Sequence, residues 1–251
     1  MEEEKEERIG LSHYEAKQIL GKGSFGEVYL VQRIDTGELG AMKVLSKNKV
    51  ISQNMVRYAM TERSVLGELE HPFIVRLRHA FQTSDYLFLI LDYCPGGDLS
   101  DHLRNEGRFS EERARFYACE IVLALEALHS RDILFRDLKP DNVVLDSEGH
   151  ALLTDFGLSK EGIEHAAEGT SSFCGSMGYL APEIYPGGGR SKREGNKGHG
   201  KAVDWYMLGV LVYEMVTGEV FGRVIGDDAE KIDSLEGTLS AAGRRFLRGL
   251  L

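Results

Sequence analysis

Residues 134–145 read LFRDLKPDNVVL, with Asp137, Lys139 and Asn142 set between apolar runs. Transfer of a phosphoryl group to a hydroxyl needs a proton acceptor, cationic support for the moving group and oxygen ligands for Mg2+. Asp137 offers a carboxylate base, Lys139 a positive donor and Asn142 a neutral oxygen for the metal. Further along, Leu152-Leu153-Thr154-Asp155-Phe156-Gly157 places a second carboxylate at the end of a strand-like run. Asp155 is a hard oxygen ligand suited to Mg2+, and Gly157 frees the backbone behind it.

Upstream, Gly21-Lys22-Gly23-Ser24-Phe25-Gly26-Glu27-Val28 forms a GxGxxGxV run. Glycines let backbone approach phosphates. The same glycines also fit a plain hairpin turn, or a dinucleotide-binding turn. The last of these requires a helix after the final glycine, whereas EVYLVQ is strand-like. In Ala41-Met42-Lys43-Val44 a lysine interrupts an apolar strand, and a buried lysine needs an anion. The stretch 54–69 has apolar residues at helical spacing (Met55, Tyr58, Ala59, Val65, Leu66, Leu69), with Glu62 on the same face. A Lys43–Glu62 pair that aims the lysine at nucleotide phosphates accounts for both oddities; a snorkelling lysine and a solvated glutamate are the plainer alternative.

These groups must be held by a scaffold, and composition bounds it. With 251 residues, 42% hydrophobic and 28% charged, the chain can bury one large core or two modest ones. A formal net charge of −10 argues against a surface that coats nucleic acid. Cys94, Cys119 and Cys174 form no short motif, so neither a disulfide framework nor zinc spacing is present, and a reducing compartment is expected. MEEEKEERIG is charged, unlike a secretory signal, and no apolar run approaches the ~20 residues that span a bilayer. A cytoplasmic location, or a nuclear one, is the expectation.

Along the chain, residues 14–93 read as strands, with one helix at 54–69 and a hairpin pair in IVRLRHAFQ and YLFLILDY. After Pro95-Gly96-Gly97 the pattern turns helical. DLSDHLRNEG is one helix, and SEERARFYACEIVLALEALHSR is a long second, opened by Ser110 as N-cap. Residues 151–200 are loop-rich. AVDWYMLGVLVYEMVTG is apolar nearly all round and is expected to be buried; SAAGRRFLRGLL begins a last helix.

The glycine loop, Ala41-Met42-Lys43, FRDLKPDN, DFG and Ala181-Pro182-Glu183, in this order, resemble the protein kinase family over about residues 14–217. LDYCPGGDL (91–99), SSFCGSMGYLAPE (171–183) and KAVDW (201–205) are similar to the AGC group, the cAMP-dependent, Akt-like and ribosomal-protein kinases. The resemblance implies an α+β, two-lobed fold: an acidic extension at 1–13, a small β-rich lobe with one main helix at 14–92, and a larger, shortened helical lobe at 93–251, hinged near Asp92–Gly97. It implies ATP and Mg2+ as cofactors. Gly21, Lys22, Gly23, Ser24, Phe25 and Gly26 would then cover the ATP phosphates, and Lys43, held by Glu62, would bind them. Val28 and Ala41 would flank adenine, Leu91 would be the gatekeeper, backbone groups of Asp92 and Cys94 would meet the base edge, and Asp98 would lie near the ribose. An apolar stack of Leu77, Leu66, Phe156 and Phe135 would rest on Asp204. Phe135, where most kinases carry His and this group commonly Tyr, supplies the ring that the stack uses.

By the same resemblance Ser172 is a regulatory phosphosite, its phosphate held by Arg136 and Lys160, which implies an upstream activating kinase. Ser171 and Thr170 are rivals, and a solvated loop serine is the alternative. Ser176 stands where a threonine contacts the catalytic Asp and Lys. Two departures are visible: Met177-Gly178 replaces the usual Pro-Glu, and Tyr58 replaces a histidine that would help hold the phosphate. Asp98 and Asp141 match carboxylates that pair with arginines preceding the acceptor, so a basophilic preference is expected. Lys139-Pro140-Asp141 argues for Ser/Thr rather than Tyr acceptors. The partners implied are protein substrates with Ser/Thr acceptors, without nucleic acid or a membrane span, for a monomer. Cys94 and Cys174 read as inert packing, or as redox-sensitive if exposed with a lowered pKa; the basic run 191–201 reads as a solvated insert or a docking patch.

After Gly218 the group usually continues with Pro-Pro-Phe and a docking helix, and GEVFGRVIGDDAEKIDSLEGT lacks the former and compresses the latter. The arginine partner of Glu183 would lie beyond Leu251, and a buried carboxylate left alone costs about 3–5 kcal/mol. The hydrophobic tail of active members is absent as well. Two readings therefore compete: an active Ser/Thr kinase, and a truncated or degenerate one serving as a nucleotide-binding or scaffolding module. An unrelated nucleotide-binding fold conflicts with the strand after the glycines.

Overall fold

The computed structural model describes residues 9–22, 26–163, 175–184, 200–221 and 228–251. Gly23, Ser24, Phe25, Thr170, Ser171, Ser172, Cys174 and most of the basic run lie outside the described residues. The chain divides into two compact units: one contains residues up to Glu70 together with Val75–Cys94, the other His71–Ile74 and Pro95–Leu251.

The first unit is an antiparallel sheet of β1 (Tyr14–Lys22), β2 (Gly26–Arg33), β3 (Leu39–Ser46), β4 (Leu77–Gln82) and β5 (Tyr86–Asp92), ordered β1-β2-β3-β5-β4. Register decides what each face carries, because side chains alternate along a strand and directly paired residues share a face. Tyr29 pairs with Met42 and Met42 with Ile90, and this face packs Val31, Met42, Phe88 and Ile90 into a core with Tyr14 and Phe81. Val28 pairs with Lys43, Lys43 with Leu89, and Ala41 with Leu91, so Val28, Ala41, Lys43 and Leu91 lie together on the opposite face. The run of strands seen in the sequence is thereby divided into a core face and a face that carries polar chemistry.

Two helices complete this unit. The helix expected at 54–69 is α2, Val56–Glu68; it starts late because Asn54 is left-handed, with φ 56°. It buries Ala59, Glu62, Val65 and Leu66. A six-residue helix, α1 (Lys47–Ser52), was not anticipated; its one buried residue, Val50, leaves no periodic signal. The strand expected from Ile74 begins instead at Leu77. Ile74 bridges Leu153 in parallel, and the Leu153 N–H donates to the Phe73 carbonyl at 3.0 Å. The segment His71–Ile74 therefore adds to a strand of the other unit.

Gly26, grouped in the sequence with the phosphate loop, has a different requirement. A Cβ there would stand 1.7 Å from the Val44 carbonyl oxygen, whereas at Gly21 it would meet nothing within 4 Å. Gly26 is needed for the close approach of β2 to β3. Gly26→Ala is expected to destabilise the protein by about 3 kcal/mol through overpacking against backbone, while Gly21→Ala leaves stability unchanged; denaturant midpoints of the two variants check this.

The second unit holds α3 (Leu99–Glu106), α4 (Glu111–His129), the two-stranded β6 (Val143–Leu145) and β7 (Ala151–Leu153), and helices α5 (Ala202–Thr217), α6 (Asp228–Asp233) and α7 (Ala241–Leu250). Caps set the starts of α3, α4 and α7: Asp98 accepts from Asp101 N–H, Ser110 from Arg113 N–H and Ser240 from Gly243 N–H. Helix α5 is buried on most sides, as its composition predicts, and ends where Gly218 turns left-handed at φ 79°. Glu183, expected to be a buried carboxylate without its partner, is exposed. The short turn Pro182–Ile184 buries Ile184 instead, so the expected penalty does not arise. Among the described residues no helix is long and apolar enough to cross a membrane.

Candidate active site

In the second unit the chemistry-bearing loop is fixed from beneath by a buried carboxylate. Asp204, on the first turn of α5, is fully buried. It accepts from the backbone N–H of Phe135 at 2.9 Å and of Arg136 at 2.8 Å, and faces His129 Nε2 at 2.8 Å. With a proton on Nε2 the imidazole donates to this carboxylate. Arg136 is held left-handed at φ 69°, a conformation that a non-glycine residue keeps only where its surroundings impose it. The bond to Asp204 is one of the contacts that hold it there, beside those of its guanidinium. Above this anchor the Phe135 and Phe156 rings meet edge-on, with centroids 5.0 Å apart, both fully buried.

Asp137 is thereby presented in a bracket of donors. Asn142 Nδ2 donates to its carbonyl at 2.7 Å and to Oδ2 at 2.9 Å. The Ser176 hydroxyl donates to Oδ1 at 3.0 Å, and Lys139 Nζ donates to that hydroxyl at 3.0 Å while lying 3.1 Å from Oδ2. The expected contact of Ser176 with the aspartate and the lysine is present, and a serine suffices for it. With the amide nitrogen of Asn142 turned to Asp137, its oxygen points the other way and suits a metal. The Thr154 N–H donates to the Asn142 carbonyl at 3.0 Å, and Val143 pairs with Leu153. This ladder brings the backbone just before Asp155 to Asn142, and each of the two side chains offers a hard oxygen donor. Asp155 is itself left-handed at φ 62°.

In the first unit Lys43 Nζ donates to both oxygens of Glu62, at 2.7 and 2.8 Å. Glu62 is fully buried and the Lys43 side chain is 16% exposed, which makes this a desolvated pair held by geometry rather than a loose surface bridge. Tyr58, expected only as a weaker phosphate arm, places its ring 5.6 Å from Lys43 Nζ, within cation–π range. Asp92 pairs with Arg78 Nε at 2.5 Å. Leu91 is buried and Cys94 half-buried.

Asp98 is occupied as the cap of α3, and burial pushes its carboxyl above the usual range. Asp141 is exposed. Arg136 donates through Nε to the Leu158 carbonyl at 2.6 Å and through Nη2 to that of Ser159 at 3.3 Å, and Lys160 pairs through its backbone with Leu134.

Glu214 and His129 escaped the sequence. The Tyr179 hydroxyl donates to the Glu214 carboxylate. Burial raises both groups above their ordinary values, and Asp141 lies close enough to raise them further. A glutamate inside the apolar run LVYEMV was the signal, the same one that Glu62 gave. His129 offers no comparable signal, because a histidine at a helix end reads as a partner for the helix dipole.

Comparison with known proteins gives the protein kinase domain family over residues 14–241. The chain is 48% identical over 214 residues to the RAC family serine/threonine-protein kinase homolog of Dictyostelium discoideum, covering 85% of this chain and 46% of the relative. It is 50% identical over 205 residues to Protein kinase 2 of the same organism, covering 82% of this chain and 40% of that one. Human ribosomal protein S6 kinase alpha-1 is 46% identical over 217 residues, covering 85% of this chain and 28% of the kinase. The chain thus spans less than half the length of these curated relatives.

Proposed function

We propose, because this chain belongs to the protein kinase domain family and to its AGC serine/threonine group, that it transfers the γ-phosphoryl group of ATP to serine and threonine hydroxyls of proteins. The observation that carries this is the Asp137 carboxylate, 7% exposed and bracketed by Asn142, Ser176 and Lys139. In that bracket Asp137 accepts the proton of the incoming hydroxyl, and Lys139 supports the charge on the transferred group. Asn142 and Asp155 would hold Mg2+, which neutralises phosphate oxygens when bound. Lys43, oriented by Glu62, binds nucleotide phosphates, on the sheet face that also presents Val28, Ala41 and Leu91. Ser172 is the regulatory phosphosite of this reading, the acceptor for an upstream kinase, and the protein acts as a monomer in the cytoplasm or nucleus.

Basic residues upstream of the acceptor are the preferred context, supported by Asp98, Asp141 and the half-buried Glu214. Two of these carboxyls are raised by burial. Discrimination for arginine therefore requires their ionised forms, is full at higher pH, and fades as pH falls through their raised values, before an ordinary carboxylate would protonate. A positional peptide scan at descending pH checks this; uniform tolerance upstream of the acceptor at every pH overturns it.

Phosphate transfer from ATP to an arginine-rich peptide, with Asp155→Ala as control, tests the reaction itself. Transfer by the parent chain and its loss in the control is the expected result. Equal silence in both, with ATP still raising the unfolding temperature, would leave only the nucleotide-binding module. That competing reading has lost one of its supports, because Glu183 is exposed rather than buried unpaired.

A further inference from the structure

Glu120 is a buried charge with no part in the bracket around Asp137. It is 5% exposed, on a helix, α4, that also buries Tyr117, Ala118, Ile121 and Ala124. A carboxylate in that setting is costly unless its oxygens are bonded, and both are. Oε2 accepts from the Ala151 N–H at 2.8 Å, and Oε1 stands 2.6 Å from His150 Nδ1. With a proton on Nδ1 the imidazole donates to it. Packing alone does not call for such a pair, because well-packed apolar residues in place of a buried one often leave stability unchanged.

Both contacts fall where β7 begins. Ala151 opens that strand and pairs with Leu145. The turn before it is clamped by Asp146 Oδ1, which accepts from the N–H groups of Glu148 at 2.8 Å and of His150 at 2.9 Å. At the far end Leu153 pairs with Val143, and Asp155 follows two residues on. A ladder of two three-residue strands is weak by itself, so where β7 sits depends on what grips its ends. Glu120 grips the first end from the long helix α4.

We propose that Glu120 and His150 are positioning residues for the metal donor Asp155: they fix the entry of β7, and β7 carries Asp155 to its place. This role rests on Asp155 as a donor to Mg2+ in the phosphotransfer reading above. The pair also titrates. Glu120 on α4 faces Nδ1 of the imidazole, Glu148 on its own turn lies 3.8 Å from Nε2, and Asp146 adds a third anion. The rings of Phe116 on α4 and Phe73 on the 71–74 segment lie 5.8 and 6.2 Å away, and His71, the titratable group of that segment, meets Phe73 at 5.7 Å. The bond to Glu120 and these anions hold the imidazole above its ordinary value. The imidazolium therefore strengthens the clamp in full below about pH 6.5, and its contribution is lost as pH rises through the raised value.

Nuclear magnetic resonance of the His150 ring reads this coupling without turnover. In the 251-residue chain saturated with adenylyl imidodiphosphate, Mg2+ is expected to raise the His150 midpoint. The rise is about 0.3–0.7 pH unit, the reciprocal of a two- to fivefold tighter hold on the metal when a partly exposed ion pair is charged. Glu120→Gln keeps an acceptor for the Ala151 N–H but drops the charge, and abolishes the rise. Glu120→Met, which removes the acceptor, weakens Mg2+ in the same complex about tenfold, as for one lost bond to a buried N–H. Glu120→Gln restores that affinity to within about threefold of the parent. His150→Gln, at a side chain 39% exposed, folds whether or not Glu120→Met does, and its Mg2+ affinity does not share the parent's fall with rising pH. A His150 midpoint that Mg2+ leaves unmoved or lowers overturns the proposal alone, with Asp155 still a metal donor. Parental Mg2+ affinity in a destabilised Glu120→Met does the same and leaves a structural anchor only. A parent that binds the nucleotide but no Mg2+ overturns the metal reading of Asp155, and the proposal with it.

Discussion

Asp137→Asn is expected to lower kcat by about 10²–10⁴-fold, the range for removing a positioned general base, with KM for ATP little changed. The amide has the shape of the carboxylate and can still accept from the Ser176 hydroxyl. It cannot take up a proton at neutral pH, and its own N–H2 meets the Asn142 Nδ2 that now lies 2.9 Å away. The lost negative charge also leaves Lys139, 3.1 Å distant, without its counterion. The loss therefore belongs to kcat rather than to binding, which single-turnover phosphate transfer beside an ATP-binding isotherm separates. A variant within tenfold of the parent in kcat would remove Asp137 from the role of base.

Asp204→Ala is expected to cost about 3–5 kcal/mol of stability, the range for removing one partner of a buried charged network. Two backbone N–H groups and the His129 imidazole lose their acceptor in a site where Asp204 is fully buried. Because the N–H of the left-handed Arg136 is one of the groups that Asp204 holds, the loop carrying Asp137 is expected to relax, and kcat to fall together with stability. A loss of this size is comparable to the whole margin of many domains. Asp204→Asn, which retains one accepting oxygen, provides the variant that still folds, with an intermediate loss in both measures. Denaturant midpoints below about 1 kcal/mol of change in both variants would show that the loop is held by something else.

Much of the site was legible because its chemistry is local. Asp137, Lys139 and Asn142 lie within six residues of one another, and their types alone name a base, a cation and a metal donor. Glu62 and Lys43 were each conspicuous as charges within apolar periodic runs, and a desolvated charge has to find a partner. Elements were legible where the pattern ran long, as in the capped helix α4 and the continuous apolar run of α5, and illegible where it was short, as in α1.

Long-range geometry decided the rest. That Gly26 serves strand packing follows from a carbonyl on the neighbouring strand. That Tyr58 rests on Lys43 follows from how α2 meets the sheet. His129 and Asp204 stand 75 positions apart, and Tyr179 and Glu214 stand 35 apart; no spacing rule links such pairs. Residue type and neighbourhood along the chain set which side chains this protein must neutralise, because a charge in an apolar run is costly wherever the run folds. Which donor or acceptor neutralises each one was decided only by tertiary structure, because a hydrogen bond depends on angstroms between elements that the order of residues does not encode.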